Sequence, residues 1–199
     1  MTRWIHYDHL VPSREIRDIA DDQELVEVTG DDLVTLVRAK NVLHVYHDQD
    51  DDYIQNILDG VVSQVEKFLR QDAVKKTRRA YWKRNQANAM LPMGPHGNIL
   101  SAVIKDSSGN EKVLVEGEDF HVVGLVWKHL TGIKEIGQLT VTYESGYETP
   151  PAEITAAVFQ ELSLQYKNRK DPDTPAMVSY RNLSLEARHL LAPIMRLAI

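Results

Sequence analysis

The sequence has no cysteine among its 199 residues, which excludes disulfide bonds and every metal or redox site that depends on a thiolate. It has no apolar run of about 18 residues and no apolar stretch of signal-peptide length near its start, so we expect neither a membrane span nor a leader. It also lacks His-Glu-x-x-His, Gly-x-Ser-x-Gly and a phosphate-binding Gly-rich loop followed by Lys-Ser/Thr. The sequence therefore contains no signal for an enzyme, a metal site or a cofactor.

The chain has fewer positively charged residues than negatively charged ones. The chain carries 23 basic and 29 acidic residues, for a net charge of −6. An acidic total argues against a protein that binds nucleic acid through phosphate attraction, and it suits a wall past which DNA slides without binding. Apolar residues make up 43% of the chain, which is enough for a hydrophobic core.

The amphipathic patterns predict helices over about residues 31–43, 50–70 and 151–169, with a β region over about 73–147. Residues 1–30 show no sustained period and are interpreted as an extension. Asp48–Asp52 precedes the longest apolar stripe. Its spacing is close to that of a calcium loop, but Tyr53 stands where such a loop needs glycine, so we interpret the run as a helix start.

The strongest local pattern lies between residues 139 and 169. Leu139–Tyr143 alternates apolar residues with threonine, which is typical of a half-buried strand. Gly146 permits a turn that other residues resist, and Pro151 suits the first position of a helix. That helix then carries a stripe of apolar residues at every fourth position: Ile154, Val158, Leu162 and Tyr166.

Three segments in this order, Tyr143-Glu144-Ser145-Gly146-Tyr147, Pro150-Pro151 and Tyr166-Lys167-Asn168-Arg169, resemble the closing block of a known family. This is the head–tail connector (adaptor) family of long-tailed bacteriophages. The opening is similar too, with a short helix, an acidic turn and a long helix ending in Phe68-Leu69. The matching motifs span about residues 31–196, and their order is more specific than any one of them.

The resemblance implies an α+β fold: a helical bundle with a small antiparallel β-sheet inserted between the second and third main helices, plus a C-terminal helix or arm. It implies a structural virion protein rather than an enzyme. Copies would form a ring, usually a dodecamer, below the portal protein. The ring would extend the DNA channel without binding DNA specifically and would provide the docking platform for neck or tail-completion proteins. Assembly would take place in the host cytoplasm, and the final location would be the head–tail junction.

A closed ring needs two complementary faces on each subunit. The candidate interface residues are therefore separated groups of opposite charge: Asp50, Asp51 and Asp52, and Arg78 and Arg79. An alternative function uses the basic and aromatic segment 75–84, with Tyr81 and Trp82, to bind single-stranded nucleic acid by stacking and charge. A third interpretation is a solvated strand with Trp82 packed on the core. An enzyme whose site leaves no sequence motif is a further alternative.

Residues 170–199 comprise a polar, proline-bearing linker over 170–175 and a last short helix near Ser184. This helix either caps the core or forms an arm that reaches a partner, and both interpretations stay open. The connector resemblance favours the arm. The candidate portal-contacting residues are Tyr180, Leu183, Leu190, Leu191, Ile194 and Arg196.

Overall fold

A computed structural model describes residues 19–85, 87–168 and 183–195 of the chain. The chain divides into two compact units. The first, the sheet unit, comprises Thr77–Glu144 and the described residues up to Glu27. The second, the helical unit, comprises Val28–Lys76 and the described residues from Ser145 onward. The larger part of the sheet unit, Thr77–Glu144, is thus inserted in the sequence between the two halves of the helical unit, and its smaller part precedes both halves.

The helical unit contains α1 (Leu36–Leu43), α2 (Asp51–Leu69), α3 (Ala152–Asn168) and α4 (Leu185–Leu191), followed by a short 3-10 turn at Ala192–Ile194. Helices α2 and α3 lie within one or two residues of their predicted ranges, whereas α1 begins at Leu36, five residues after its predicted start, because Thr35 rather than Asp31 or Asp32 caps it. The stripe of α2 is buried at five positions: Ile54, Leu58, Val61, Val65 and Leu69. The stripe of α3 packs in the same core, because both helices bury the face that repeats every third or fourth residue. None of the described helices is long and apolar enough to cross a membrane.

The sheet unit is built from short strands: β1 (Asp22–Val28), β2 (Lys76–Trp82), β3 (Asn88–Met90), β4 (His96–Lys105), β5 (Glu111–Val113), β6 (His121–Val123), β7 (His129–Thr131) and β8 (Gln138–Ser145). Five of them form one sheet in the order β1-β2-β8-β4-β5, and three form a second sheet in the order β3-β7-β6. Strands β3 and β7 pair antiparallel, as do β4 with β5 and β6 with β7. The inward residues of these strands form a second hydrophobic core, which includes Trp82, Leu130 and Tyr143.

The mixed α and antiparallel β content confirms the α+β class, but the arrangement differs from the prediction. The sequence predicts one small sheet between α2 and α3, whereas the structure has two sheets. Strand β1 precedes α1 and falls inside the predicted extension, residues 1–30. All seven residues of β1 are exposed, so the strand has no buried face and no period-two pattern that a sequence reading could detect.

Candidate functional site

Two carboxylates of the acidic turn, residues 48–52, are bound by a lysine of the preceding helix α1. Lys40 Nζ lies 2.7 Å from Asp48 Oδ1 and 2.6 Å from Asp51 Oδ1. The hydrogen bond from Lys40 holds the pKa of the Asp48 carboxyl below its ordinary value, and the two carboxylates raise the pKa of Lys40. The charge of this turn is therefore partly neutralised within the subunit.

The other two acids of the candidate interface differ in exposure. Asp50 immediately precedes α2, and its Oδ2 accepts a hydrogen bond of 2.6 Å from the hydroxyl of Tyr166 on α3. Asp52 lies in the first turn of α2 and is exposed. Together with the ion pair of Asp51, this leaves Asp52 as the candidate acid that faces solvent. The interpretation as a helix start rather than a calcium loop agrees with this geometry.

Several side chains of the basic segment 75–84 likewise form ion pairs within the chain. Arg79 Nη1 lies 2.6 Å from Glu24 Oε1 on β1. Lys75 forms an ion pair with Glu148. Arg78 is half-buried on β2. Of the two candidate interface arginines, Arg79 is the more exposed, and its guanidinium already contacts a carboxylate.

Lys76 lies at the start of β2 and is buried. Its Nζ lies between the carboxylates of Glu66 and Asp72, with the latter at 3.4 Å. Asp72 Oδ2 also accepts a hydrogen bond of 2.5 Å from Ser145 Oγ, and Glu66 Oε1 accepts one of 2.9 Å from the Ala73 N–H. A buried lysine with these partners stabilises the helical unit and is not available to a nucleic acid.

Trp82 is 1% exposed and belongs to the core of the sheet unit. The prediction that Trp82 packs on the core is confirmed. Binding of single strands by this segment needs an aromatic face on which a base can stack, and Trp82 offers none. Tyr81, on the opposite side of β2, is half-buried. Burial therefore removes Trp82, one of the two aromatic side chains on which the nucleic-acid interpretation depends.

The C-terminal helix α4 packs on the helical core. Leu183, Ala187 and Leu191 are buried there. Ser184 caps the helix by accepting a hydrogen bond of 3.3 Å from the Ala187 N–H, as its residue type predicts. The Ser184 N–H in turn donates to Glu161 Oε2 on α3 at 3.0 Å. These contacts support the interpretation of α4 as a cap of the core.

The candidate portal-contacting residues differ in whether a partner could reach them. Leu183 and Leu191 are buried while α4 packs on the core, so they are not accessible to a partner, which corrects the contact set. Leu190 is 37% exposed and faces solvent on the same helix. Ile194 is partly buried, and its carbonyl oxygen accepts a hydrogen bond of 2.8 Å from Gln71 Nε2. Tyr180 and Arg196 lie outside the described residues.

The turn between β8 and α3 has the geometry that its motif predicts. Gly146 has a φ of 92°, and a Cβ at this position would collide with the carbonyl oxygen of Val74. The hydroxyl of Tyr147 donates a hydrogen bond of 2.6 Å to Gln71 Oε1. Pro151 directly precedes α3, and Glu153 lies in its first turn. The conformation and the close approach together require glycine at 146.

The sequence reasoning missed a groove at the β4–β5 end of the sheet unit, with a volume of about 340 Å³. We call it the β5 groove, and it is lined by Ile104, Asp106, Asn110, Glu111, Lys112, Glu135 and Ile136. Ile136 is 66% exposed. Ile136 is an apolar residue between a glutamate and a glycine, and this is the one sequence signal that could have indicated the groove. Within residues 19–85, 87–168 and 183–195, no group of three His, Asp or Glu side chains is placed to hold a metal ion.

No protein-family model matches the sequence. No curated protein matches it either. Solved structures do match. A chain in the neck of an empty gene transfer agent (GTA) particle, computed with C6 symmetry, has a TM-score of 0.69 at 13% identity; the match covers 89% of this chain and 97% of that one. A chain in the virion of a native GTA particle has a TM-score of 0.67 at 13% identity, over 89% and 96%.

A third similar chain belongs to the neck of a native GTA particle computed with C12 symmetry. Its TM-score is 0.57 at 15% identity, and the match covers 86% of this chain and 96% of that one. At these identities the likeness establishes a shared fold. The chain has the fold of chains found in the neck and virion of gene transfer agent particles.

Proposed function

We propose that this chain is a structural protein of a virion neck and that its copies form a ring there. The observation that carries the proposal is the extent of the fold match, which covers 96–97% of the chains from GTA necks and virion. Nearly the whole of each of those chains thus has a counterpart here. The order of the connector motifs along the sequence supports the same role independently.

The finer assignment is a head–tail connector, or adaptor, that binds below the portal protein. Two of the similar chains come from necks computed with C6 and C12 symmetry, and a ring of twelve copies is compatible with both. On this proposal the ring extends the DNA channel and presents a platform to a neck or tail-completion protein. The acidic net charge and the buried Trp82 fit a channel wall that does not bind DNA.

The contacts proposed for the ring follow from which candidate side chains remain accessible. Asp52 is exposed at the start of α2, and Arg78 and Arg79 lie on β2 at least partly exposed, so these are the candidates that a neighbouring copy can reach. For the portal, Leu190 on α4 is the accessible apolar side chain of the candidate set. Binding through it does not require the core of the helical unit to open.

This function is tested by disrupting the gene for this chain in the genome that encodes the particle. We expect heads that lack attached tails, and we expect a plasmid copy of the gene to restore tailed particles. A Leu139→Asp copy, which introduces a charge at a fully buried core position, is the matched control that should not restore them. Normal tailed particles after disruption would exclude a connector role.

A further inference from the structure

The loop that joins β6 to β7 has an apolar, exposed tip. It comprises residues 124–128, and we call it the tip loop. Leu125 is 91% exposed and Val126 is 53% exposed, so the tip buries little apolar surface of its own. A segment with few buried apolar contacts opens easily unless other contacts hold it. The position of the tip loop therefore depends on the bonds at its base.

His96, the first residue of β4, supplies two of these bonds. Its backbone N–H donates a hydrogen bond of 2.9 Å to the carbonyl oxygen of Val126. Its ring nitrogen Nδ1 accepts a hydrogen bond of 2.9 Å from the backbone N–H of Lys128. One residue thus binds the tip loop on both sides of Trp127.

The ring of His96 is buried among aromatic side chains. The residue is 6% exposed. Its ring meets those of Trp127 and Tyr143 edge-on, with centroid distances of 5.7 Å and 5.5 Å. The Trp127 ring also lies directly against Gly94, where a Cβ would collide with it. The tip loop is therefore closed over the histidine by a packed side chain as well as by hydrogen bonds.

The two ring contacts fix the protonation state of His96 in the closed loop. A backbone N–H can only donate, so Nδ1, which faces the Lys128 N–H, carries no proton. Nε2 lies 3.1 Å from the carbonyl oxygen of Pro92, which can only accept, so Nε2 carries the proton. The ring is thus neutral. A proton on Nδ1 would oppose two donors and place a charge in a buried site.

Other titratable side chains lie on the elements next to the ring. The Tyr143 hydroxyl donates to the Pro92 carbonyl oxygen, and Lys128 Nζ donates a hydrogen bond of 2.6 Å to the carbonyl oxygen of residue 97. Glu144 Oε2 accepts hydrogen bonds of 3.1 Å and 2.9 Å from the backbone and side-chain amides of residue 98. His129, which follows Lys128, is half-buried. Among these groups, His96 Nδ1 is the atom whose protonation breaks a bond to the tip loop.

We propose that His96 is a pH-sensitive latch, whose neutral ring holds the tip loop closed and whose protonation at Nδ1 releases it. The closed loop binds only the neutral ring, whereas an open loop leaves the ring free to take up a proton at about pH 6.5, as an exposed histidine does. The open form therefore binds more protons than the closed form. Closing is favoured as the pH rises, and this contribution is lost as the pH falls below that value.

Hydrogen exchange measured by NMR on the full-length, ¹⁵N-labelled chain tests the latch. The amides of His96 and Lys128 report it directly, because each donates a hydrogen bond that exists in the closed loop. After correction for the intrinsic pH dependence of exchange, we expect their protection to fall about twenty-fold between pH 7 and pH 5, since only the open form takes up the proton. The amide of Ala157, within α3, is the internal control and should keep its protection.

Two variants assign the effect to His96. His96→Asn keeps an acceptor near the position of Nδ1 and cannot take up a proton, so the protection of the Lys128 amide should no longer depend on pH in this range. His129→Gln is the matched control and should retain the full fall. A fall that survives His96→Asn, or one that His129→Gln abolishes, would overturn the latch.

The natural chain alone also decides the proposal. We expect the ¹⁵N shifts of the His96 ring at pH 7 to be those of a neutral ring with its proton on Nε2. A proton on Nδ1 at pH 7, or equal protection of the two amides at pH 7 and pH 5, would overturn it. The latch does not depend on the proposed ring, so neither result bears on the neck role, which gene disruption tests separately.

Discussion

Lys76 Nζ lies 2.6 Å and 2.8 Å from the two carboxylate oxygens of Glu66, and the two side chains are 10% and 9% exposed. Lys76 begins β2, and Glu66 is on the buried face of α2. The ion pair therefore fixes the strand that leaves the helical unit to the longest helix of that unit. Lys76 is one of six basic residues in the segment 75–84, and nothing in the sequence singles it out.

We expect Lys76→Met to lower the free energy of unfolding by about 3–5 kcal/mol, because the buried carboxylates of Glu66 and Asp72 then lose their cation. Urea denaturation measures this change in the free energy of unfolding. Lys83→Met, at an exposed position, is the matched control and should change stability by less than about 0.5 kcal/mol. Equal effects of the two changes would show that the buried pair does not stabilise the fold.

The C-terminal helix gives a second stability test. Leu191 is 0% exposed and Leu190 is 37% exposed, so Leu191→Ala should cost about 2–5 kcal/mol and Leu190→Ala much less. Thermal and urea denaturation of the two variants measure the difference. Removal of residues 176–199 should likewise destabilise the helical unit. Retention of full stability after that truncation would instead identify the segment as an arm that is separate from the core.

Acid should weaken the region around β5. The hydrogen bond from Lys112, with a further bond of 2.9 Å from the Val115 N–H, lowers the pKa of Asp119 below its ordinary value of 3.8. A carboxyl whose pKa is lower in the folded state stabilises the fold above its unfolded pKa, and the contribution is lost as the pH falls through the folded pKa.

We therefore expect Asp119→Asn to be less stable than the natural chain at pH 7 and to lose less stability between pH about 4 and 2. Urea midpoints across this range measure both effects. Glu118→Gln is the neighbouring control, because Glu118 is exposed and forms no salt bridge among the described residues. The same acid dependence in the Asp119→Asn protein and the natural chain would contradict the assignment.

Weak binding of single-stranded DNA is also expected. Trp82 is buried, Lys76 and Arg79 are ion-paired and the net charge is −6, so the segment 75–84 offers no stacking surface at Trp82 and no continuous stripe of unpaired basic side chains. Fluorescence anisotropy with a labelled oligonucleotide at low and moderate salt measures the affinity. Tight binding that falls steeply as salt rises would favour the nucleic-acid alternative.

The helices were predictable because their signals are local. The stripe of α2, the cap at Ser184 and the turn at Gly146 depend on residues a few positions apart, and the structure has each of them. Strand β1 was not predictable in this way. Its residues Leu25, Val26 and Val28 are all exposed, so its apolar positions do not mark one buried face.

The accessible charges of the candidate interface were less predictable, because several of its side chains bind partners within the same chain that are distant in the sequence. Asp50 binds Tyr166, which is 116 positions away, and Arg79 binds Glu24, which is 55 positions away. A sequence pattern shows that charges cluster and does not show which are neutralised by the fold. The sequence did not predict the β5 groove for the same reason, since its lining combines Ile104 with Ile136 from another segment.

We propose that this chain binds the portal protein as a ring. Native mass spectrometry of the chain mixed with the portal of its own particle tests that claim most directly. The account predicts a complex with one copy of the chain for each portal subunit. A chain that stays free while the portal ring remains intact would contradict it.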